Sequence, residues 1–267
     1  MPQCNPLPDL IAAARREGDS LIYPVFDDWG QGRATFGGLV ASLSVHAMHT
    51  IADDPRPLRA LQTNFIGPVG PGEMRVEVQQ LRGGKNVSQF EARVFQNSEL
   101  AAVLIGVFGS ERESAVAATP PQRPESVDAA SLPDVPFVAG AMPNFLQRVV
   151  FRWAEGDAPF SGGKAMHSRI HVKLRDDSAV HPELLTVLLA DAPPTPMLGH
   201  FDKLTMASSV SWSLETLPLD TPPGDGWWRV DTEVFAYAGG YAHQQTRLWT
   251  PEGALAALGY QVVAVFG

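Results

Sequence analysis

The chain has 267 residues, 45% of them hydrophobic, and a mean hydropathy of −0.05, which suffices for one large domain or two small ones around a substantial core. A net charge of −9 and a pI near 5.2 exclude broad electrostatic binding to nucleic acid or to an anionic membrane, since both need a cationic surface. The one cysteine, Cys4, excludes an intrachain disulfide and a thiolate-rich metal site. No basic leader precedes an apolar run and no stretch nears the roughly 20 apolar residues of a membrane span, so a cytoplasmic protein is expected.

In chain order, Asp9 is placed as the N-cap of a short helix within Pro8–Glu17 that stops near Gly18. A strand over Leu21–Phe26 leads through a turn at Asp27–Gly32 into Phe36-Gly37-Gly38-Leu39 and an apolar helix ending near Ile51. That helix has no charged residue between Thr35 and Ile51, so most of its surface is expected to be buried. The Gly37-Gly38 pair permits a close backbone approach and exposes N–H groups at the helix start. Those groups suit an anion or carbonyl oxygen, and equally a turn required by packing alone. Strands follow at Leu58–Phe65, Gly72–Leu81, Val87–Phe95 and Leu100–Phe108, separated by Gly-Pro, Gly-Gly and Gln-Asn-Ser turns.

Residues 110–144 hold six prolines among Ala, Ser, Glu and Asp without sustained periodicity, the pattern of a linker. Phe137 and Val138 are expected to pin it to one half. Strands are then expected at Phe145–Ala154 and Ser168–Arg175, with a turn-rich and mobile Gly156–Lys164 between them. A helix over His181–Asp191, closed by Pro193 and Pro194, precedes strands at Met206–Leu214, Trp227–Ala236, Tyr241–Trp249 and Leu255–Phe266.

Helix followed by four strands therefore occurs twice. The repeat is visible directly in Leu100-Ala-Ala-Val-Leu-Ile-Gly-Val-Phe-Gly109 and Leu255-Ala-Ala-Leu-Gly-Tyr-Gln-Val-Val-Ala-Val-Phe-Gly267. It divides the chain into an N-terminal half at 1–109, the linker at 110–144 and a C-terminal half at 145–267. The copies differ at one position: six residues after Leu100 stands Gly106, and six after Leu255 stands Gln261. One working site, in the second half, is the implication.

Asp191 ends an otherwise apolar helix, where a carboxylate is costly unless paired, hydrated or used, and gains nothing from a helix C-terminus. Aligning the two helices places His46 at the position of Asp191, where it reads as a satisfied interior histidine. Gln261 lies in an otherwise apolar strand, and both amide groups need partners there. Ser208, Ser209, Ser211 and Ser213 crowd one strand in which Ser209, Ser211 and Ser213 alternate with Val210, Trp212 and Leu214. No nucleophile elbow, zinc helix, phosphate loop or dinucleotide fingerprint is present, and His167 and His171 fall in a strand entry, so neither a metal nor a cofactor is expected.

Phe36-Gly-Gly-Leu-Val40, Phe65-Ile-Gly-Pro68, Leu81-Arg-Gly-Gly84 and Gln96-Asn97 resemble the type II acyl-CoA thioesterase family. So do Leu189-Ala-Asp191, Gly226-Trp-Trp228, Ala238-Gly-Gly-Tyr241, Arg247-Leu-Trp249 and Tyr260-Gln261 in the second half. The resemblance implies an α+β chain of two fused hot-dog folds, each an antiparallel sheet wrapped around a central helix. It also implies hydrolysis of an acyl-CoA by a water held by an Asp, a Gln and a Ser or Thr, without an acyl-enzyme. Asp191 and Gln261 match the first two, and a main-chain N–H near a helix start would stabilise the oxyanion. For the hydroxyl, one alignment gives Ala207 and another Ser208, while Ser209 shares the face of Ala207 and can substitute. The partners implied are acyl-CoA and further copies of the chain, with Arg33, Arg82 and Lys85 as candidates for CoA phosphate. An acyl-CoA or lipid-binding protein without catalysis is the competing reading, and a hot-dog hydratase lacks its Asp and His pair here.

Overall fold

The computed structural model describes residues 5–116, 119, 121–176, 180–219 and 223–267, so Cys4 lies outside the described residues. The chain forms two compact units: Met1–Ala118 with Phe137–Val149 and Leu174–Leu188, and Thr119–Pro136 with Val150–Lys173 and Leu189–Gly267. The units do not run along the chain in two blocks. Most of the second apolar helix and part of the expected linker pack with the first unit.

The first unit opens with α1 (Leu7–Ala12), β1 (Arg15–Glu17) and β2 (Ser20–Val25), then the short pair β3 (Gly30–Gln31) and β4 (Ala34–Thr35), and α2 (Gly37–Ala52). β5 (Leu58–Phe65), β6 (Gly72–Gly83), β7 (Val87–Gln96) and β8 (Glu99–Gly109) complete it, in the sheet order β1-β2-β6-β7-β8-β5. The first helix is shorter than expected, because Arg15–Glu17 turns back at Gly18 (φ 61°) and pairs with Ser20–Ile22. α2 lies against β2, β6, β7 and β8. Its residues Leu39, Leu43, Val45 and Met48 are fully buried, which is what a charge-free helix predicts. A Cβ on Gly38 would lie 2.7 Å from the Leu188 carbonyl oxygen, so packing alone accounts for a glycine there. Ser42 Oγ donates to the Leu184 carbonyl at 3.0 Å, a second sign of close helix approach.

The second unit carries β9 (Val149–Glu155), β10 (His167–Leu174), the end of α3 (Pro182–Ala190), and β11 (Met206–Thr216), β12 (Trp228–Ala238), β13 (Tyr241–Trp249) and β14 (Leu255–Phe266). Their order is β11-β14-β13-β12-β10-β9. β9 starts later than expected because Asn144–Gln147 forms a 3-10 turn, with the Phe145 ring stacked on Phe36 at 4.2 Å in the first unit. Gly156–Lys164, expected to be mobile, is tied down. Asp157 Oδ2 accepts from the Lys164 and Ala165 N–H groups at 2.7 Å each, and Phe160, Gly162 and Gly163 donate to Leu198, Phe201 and Gly199 carbonyls. The Pro-rich segment is likewise strapped to its unit: Arg229, Arg169 and Arg152 donate to the carbonyls of Pro124, Glu125 and Ala129. Proline carbonyls keep full acceptor strength, so a segment poor in N–H donors can be held this way.

The duplication extends to irregularities. β5 bulges between Leu58 and Ala60 and β11 between Ser209 and Ser211; β6 bulges between Gln80 and Arg82 and β12 between Val234 and Ala236. Both central hairpins turn on two residues with positive φ, Asn97-Ser98 and Gly239-Gly240, matching the twist of their strands. Among the described residues no helix is long and apolar enough to cross a membrane.

Candidate active site

Three elements of the second unit converge. Asp191 stands one residue beyond α3, Gln261 lies in the middle of β14, and Ser209 lies in β11. Gln261 Nε2 is 2.8 Å from Asp191 Oδ1 and 2.8 Å from Ser209 Oγ. All three side chains are partly buried, so they are neither freely hydrated nor sealed.

The β11 bulge decides which serine takes part. Ser209 opposes Val263, the register then skips Val210, and Trp212 opposes Gln261. Strict alternation would put Ser209, Ser211 and Ser213 on one face; the extra residue instead leaves Ser209 on the inner face together with Trp212 and Leu214, both buried. Ser208 is exposed and lies outside this cluster. Ala207 packs against the apolar cluster of Met197, Val234, Ala242, Val263 and Val265.

A fourth residue, missed from the sequence, belongs here. Gln244 on β13 opposes Gln261 and its Nε2 donates to Gln261 Oε1 at 2.8 Å. Comparing the third strand of each repeat signals it: Phe90 opposes Gly106 as Gln244 opposes Gln261. By the same registers Ser209 corresponds to Leu58. The first unit thus holds Leu58, Gly106 and Phe90 where the second holds Ser209, Gln261 and Gln244. A Cβ on Gly106 would meet Met48 Sδ at 2.6 Å and the Phe108 ring at 2.8 Å, so the first unit is packed shut at that position.

Other sequence candidates lie elsewhere. His46 is held by the Tyr23 hydroxyl at 2.7 Å from Nδ1; burial first, and then nearby His49, hold its pKa below the usual imidazole value. Arg33, Arg82 and Lys85 are exposed on the first unit. No group of three His, Cys, Asp or Glu side chains among the described residues could hold a metal ion.

Chemically, the cluster offers a carboxylate acceptor and a hydroxyl joined by one amide that donates to both. Such a set can fix and deprotonate a water. With its N–H groups directed at Asp191 and Ser209, Gln261 acts as the brace between the two groups.

The family model of the acyl-CoA thioesterase N-terminal domain matches residues 26–109, and that of the acyl-CoA thioesterase C-terminal domain matches residues 121–265. Among curated proteins no sequence matches. A hot-dog-fold protein of unknown function from Alicyclobacillus acidocaldarius superposes with a TM-score of 0.86 at 20% identity, covering 97% of each chain. The TesB protein of Mycobacterium avium subsp. paratuberculosis gives 0.79 at 16% identity, with 98% of this chain and all of that one covered (100%). An acyl-CoA thioesterase II from Mycobacterium marinum gives 0.75 at 16%, covering 97% and 98%. At these identities the likeness shows the fold, and the fold is the α+β double hot-dog that the family resemblance implies.

Proposed function

The chain belongs to the acyl-CoA thioesterase family and is a thioester hydrolase; from that premise we propose that it cleaves an acyl-CoA through a water set by Asp191 and Ser209 and braced by Gln261. Asp191 takes the proton of the attacking water. The hydroxide adds to the thioester carbonyl, and the tetrahedral intermediate collapses to free acid and CoA thiolate, which is then protonated. A main-chain N–H at a helix start serves as the oxyanion donor in this scheme. There is no acyl-enzyme.

The observation that carries this reading is the meeting of Asp191, Gln261 and Ser209 through 2.8 Å hydrogen bonds. The competing binding-only reading turns on whether a hydroxyl completes the site, and the Ser209 hydroxyl 2.8 Å from Gln261 Nε2 favours hydrolysis. Thiol release from acyl-CoAs of short to long chain tests the proposal. Turnover by wild type, with Asp191→Asn and Gln261→Ala losing most of it, is expected; binding without turnover across the panel would restore the binding-only reading.

A cytoplasmic location, supported by the single cysteine, and self-association belong to the same proposal. The outward face of the second sheet exposes Phe235, Tyr241 and Tyr260 by about half each (54%, 47%, 54%). Residues 206–213, 234–238, 241–246 and 259–266 contain no Asp, Glu, Lys or Arg. On a chain of net charge −9, such a face lets two copies meet without like-charge repulsion and bury its exposed aromatic rings. Sedimentation velocity on wild type and Tyr260→Lys checks it, a monomeric wild type being the adverse result.

A further inference from the structure

We propose that Gln244 is a positioning residue of the active site, holding the Gln261 side chain with its amide nitrogen turned on Asp191 and Ser209. The inference rests on the proposed thioesterase site and adds a residue to it. The orientation follows from Asp191. An ionised carboxylate has only acceptors, so Gln261 must present its NH₂ to Asp191, and its Oε1 must face the other way. There it meets the NH₂ of Gln244 at 2.8 Å. The direction of every hydrogen bond from Gln244 to Asp191 is thereby fixed.

That arrangement has a cost which packing does not require. Gln244 is 3% exposed, and its own Oε1 is buried without a partner among the described residues. A buried acceptor left unmatched is destabilising. The corresponding Phe90 is also 3% exposed and fills its place in the first sheet with no polar group at all. A residue needed only to pack would be apolar here, as its counterpart is. The two positions differ in what lies across the strand: Phe90 faces Gly106, and Gln244 faces Gln261. The terminal torsion of Gln is broad and roughly two-fold, so without the donor from Gln244 the Gln261 amide is free to swing away from the pair it bridges.

The test compares thiol release by wild type, Gln244→Leu and Gln244→Glu across pH, on an acyl-CoA that wild type hydrolyses. Gln244→Leu is expected to lower kcat about 10- to 100-fold with little change in KM, the signature of misplaced catalytic groups. Gln244→Glu separates positioning from packing. Only a protonated carboxyl can donate to Gln261 Oε1, and burial raises a carboxyl pKa. The neighbours across the sheet, Val234 and Gln261, do not ionise, and reading the variant as a ratio to wild type at each pH removes the effects common to both. The ratio of Gln244→Glu to wild-type kcat should therefore rise several-fold between about pH 8 and about pH 5.5. A flat ratio, or Gln244→Leu retaining kcat within twofold, overturns the proposal. If Gln244→Leu does not fold, the Gln244→Glu ratio still decides. Wild type releasing no thiol from any acyl-CoA defeats the thioesterase reading itself, a different result from active wild type with indifferent variants.

Discussion

Gln261 Nε2 lies 2.8 Å from Oδ1 of Asp191, across 70 residues of sequence. A helix end and the middle of a strand thus share one amide, and in the proposed mechanism the carboxylate held there is the base. Replacing Asp191 by Asn keeps the shape and removes the base. Thiol release should fall by roughly 10²- to 10⁴-fold, while the circular dichroism spectrum and Tm stay close to wild type.

Ser209 and Ser208 make a paired test of the bulge. Ser209→Ala removes the hydroxyl that accepts from Gln261 and should cost about 10- to 100-fold in kcat. Ser208→Ala alters an exposed side chain and should leave kcat within about twofold, as surface substitutions usually do. Equal effects of the two would place the hydroxyl elsewhere.

Gly106→Ala probes how tightly the first unit is packed where the second unit holds Gln261. The added methyl would collide with Met48 Sδ and the Phe108 ring, an overpacking expected to cost about 1–3 kcal/mol. The readout is a lower urea midpoint with unchanged kcat per chain. A variant as stable as wild type would show that the interior has room.

The first unit also carries a pH-dependent contact. His49 Nε2 is 2.6 Å from Glu183 Oε1, its Nδ1 meets the Asp54 carbonyl at 2.8 Å, and Glu183 Oε2 accepts from the Leu58 N–H at 2.6 Å. Burial lowers the His49 pKa, but the Glu183 hydrogen bond, the Asp54 carbonyl and the two nearby carboxylates outweigh it, so the net shift is upward. A group whose folded pKa is raised stabilises fully below its unfolded value, about 6.5, and loses that contribution as pH rises through the folded pKa. Urea midpoints should therefore fall as pH rises above about 6.5 in wild type, and fall less in His49→Gln. Parallel pH curves would mean that the pair contributes nothing.

The repeat, the strands at Leu58–Phe65, Tyr241–Trp249 and Leu255–Phe266, and the buried α2 were legible because alternation, turn residues and a charge-free helix are written locally. Asp191 and Gln261 stood out for a similar reason, as polar groups in apolar runs of which only one copy has the amide. The strand at Arg15–Glu17 was not legible, because its pairing with β2 outweighs the helical preference of the preceding alanines. Gly156–Lys164 looked mobile because its tethers, Leu198, Gly199 and Phe201, lie over 30 residues away in sequence. Gln244 was hidden because an amide among His243, Gln245 and Thr246 looks like any polar strand residue until a register sets it opposite Gln261. The sequence by itself determined the duplication and the class of fold, and singled out the carboxylate and amide of the candidate site. Only the tertiary structure decided which hydroxyl joins them, since one extra residue at Val210 reverses the side of the sheet on which every following side chain falls, and no alternation counted along the chain can show where a strand bulges.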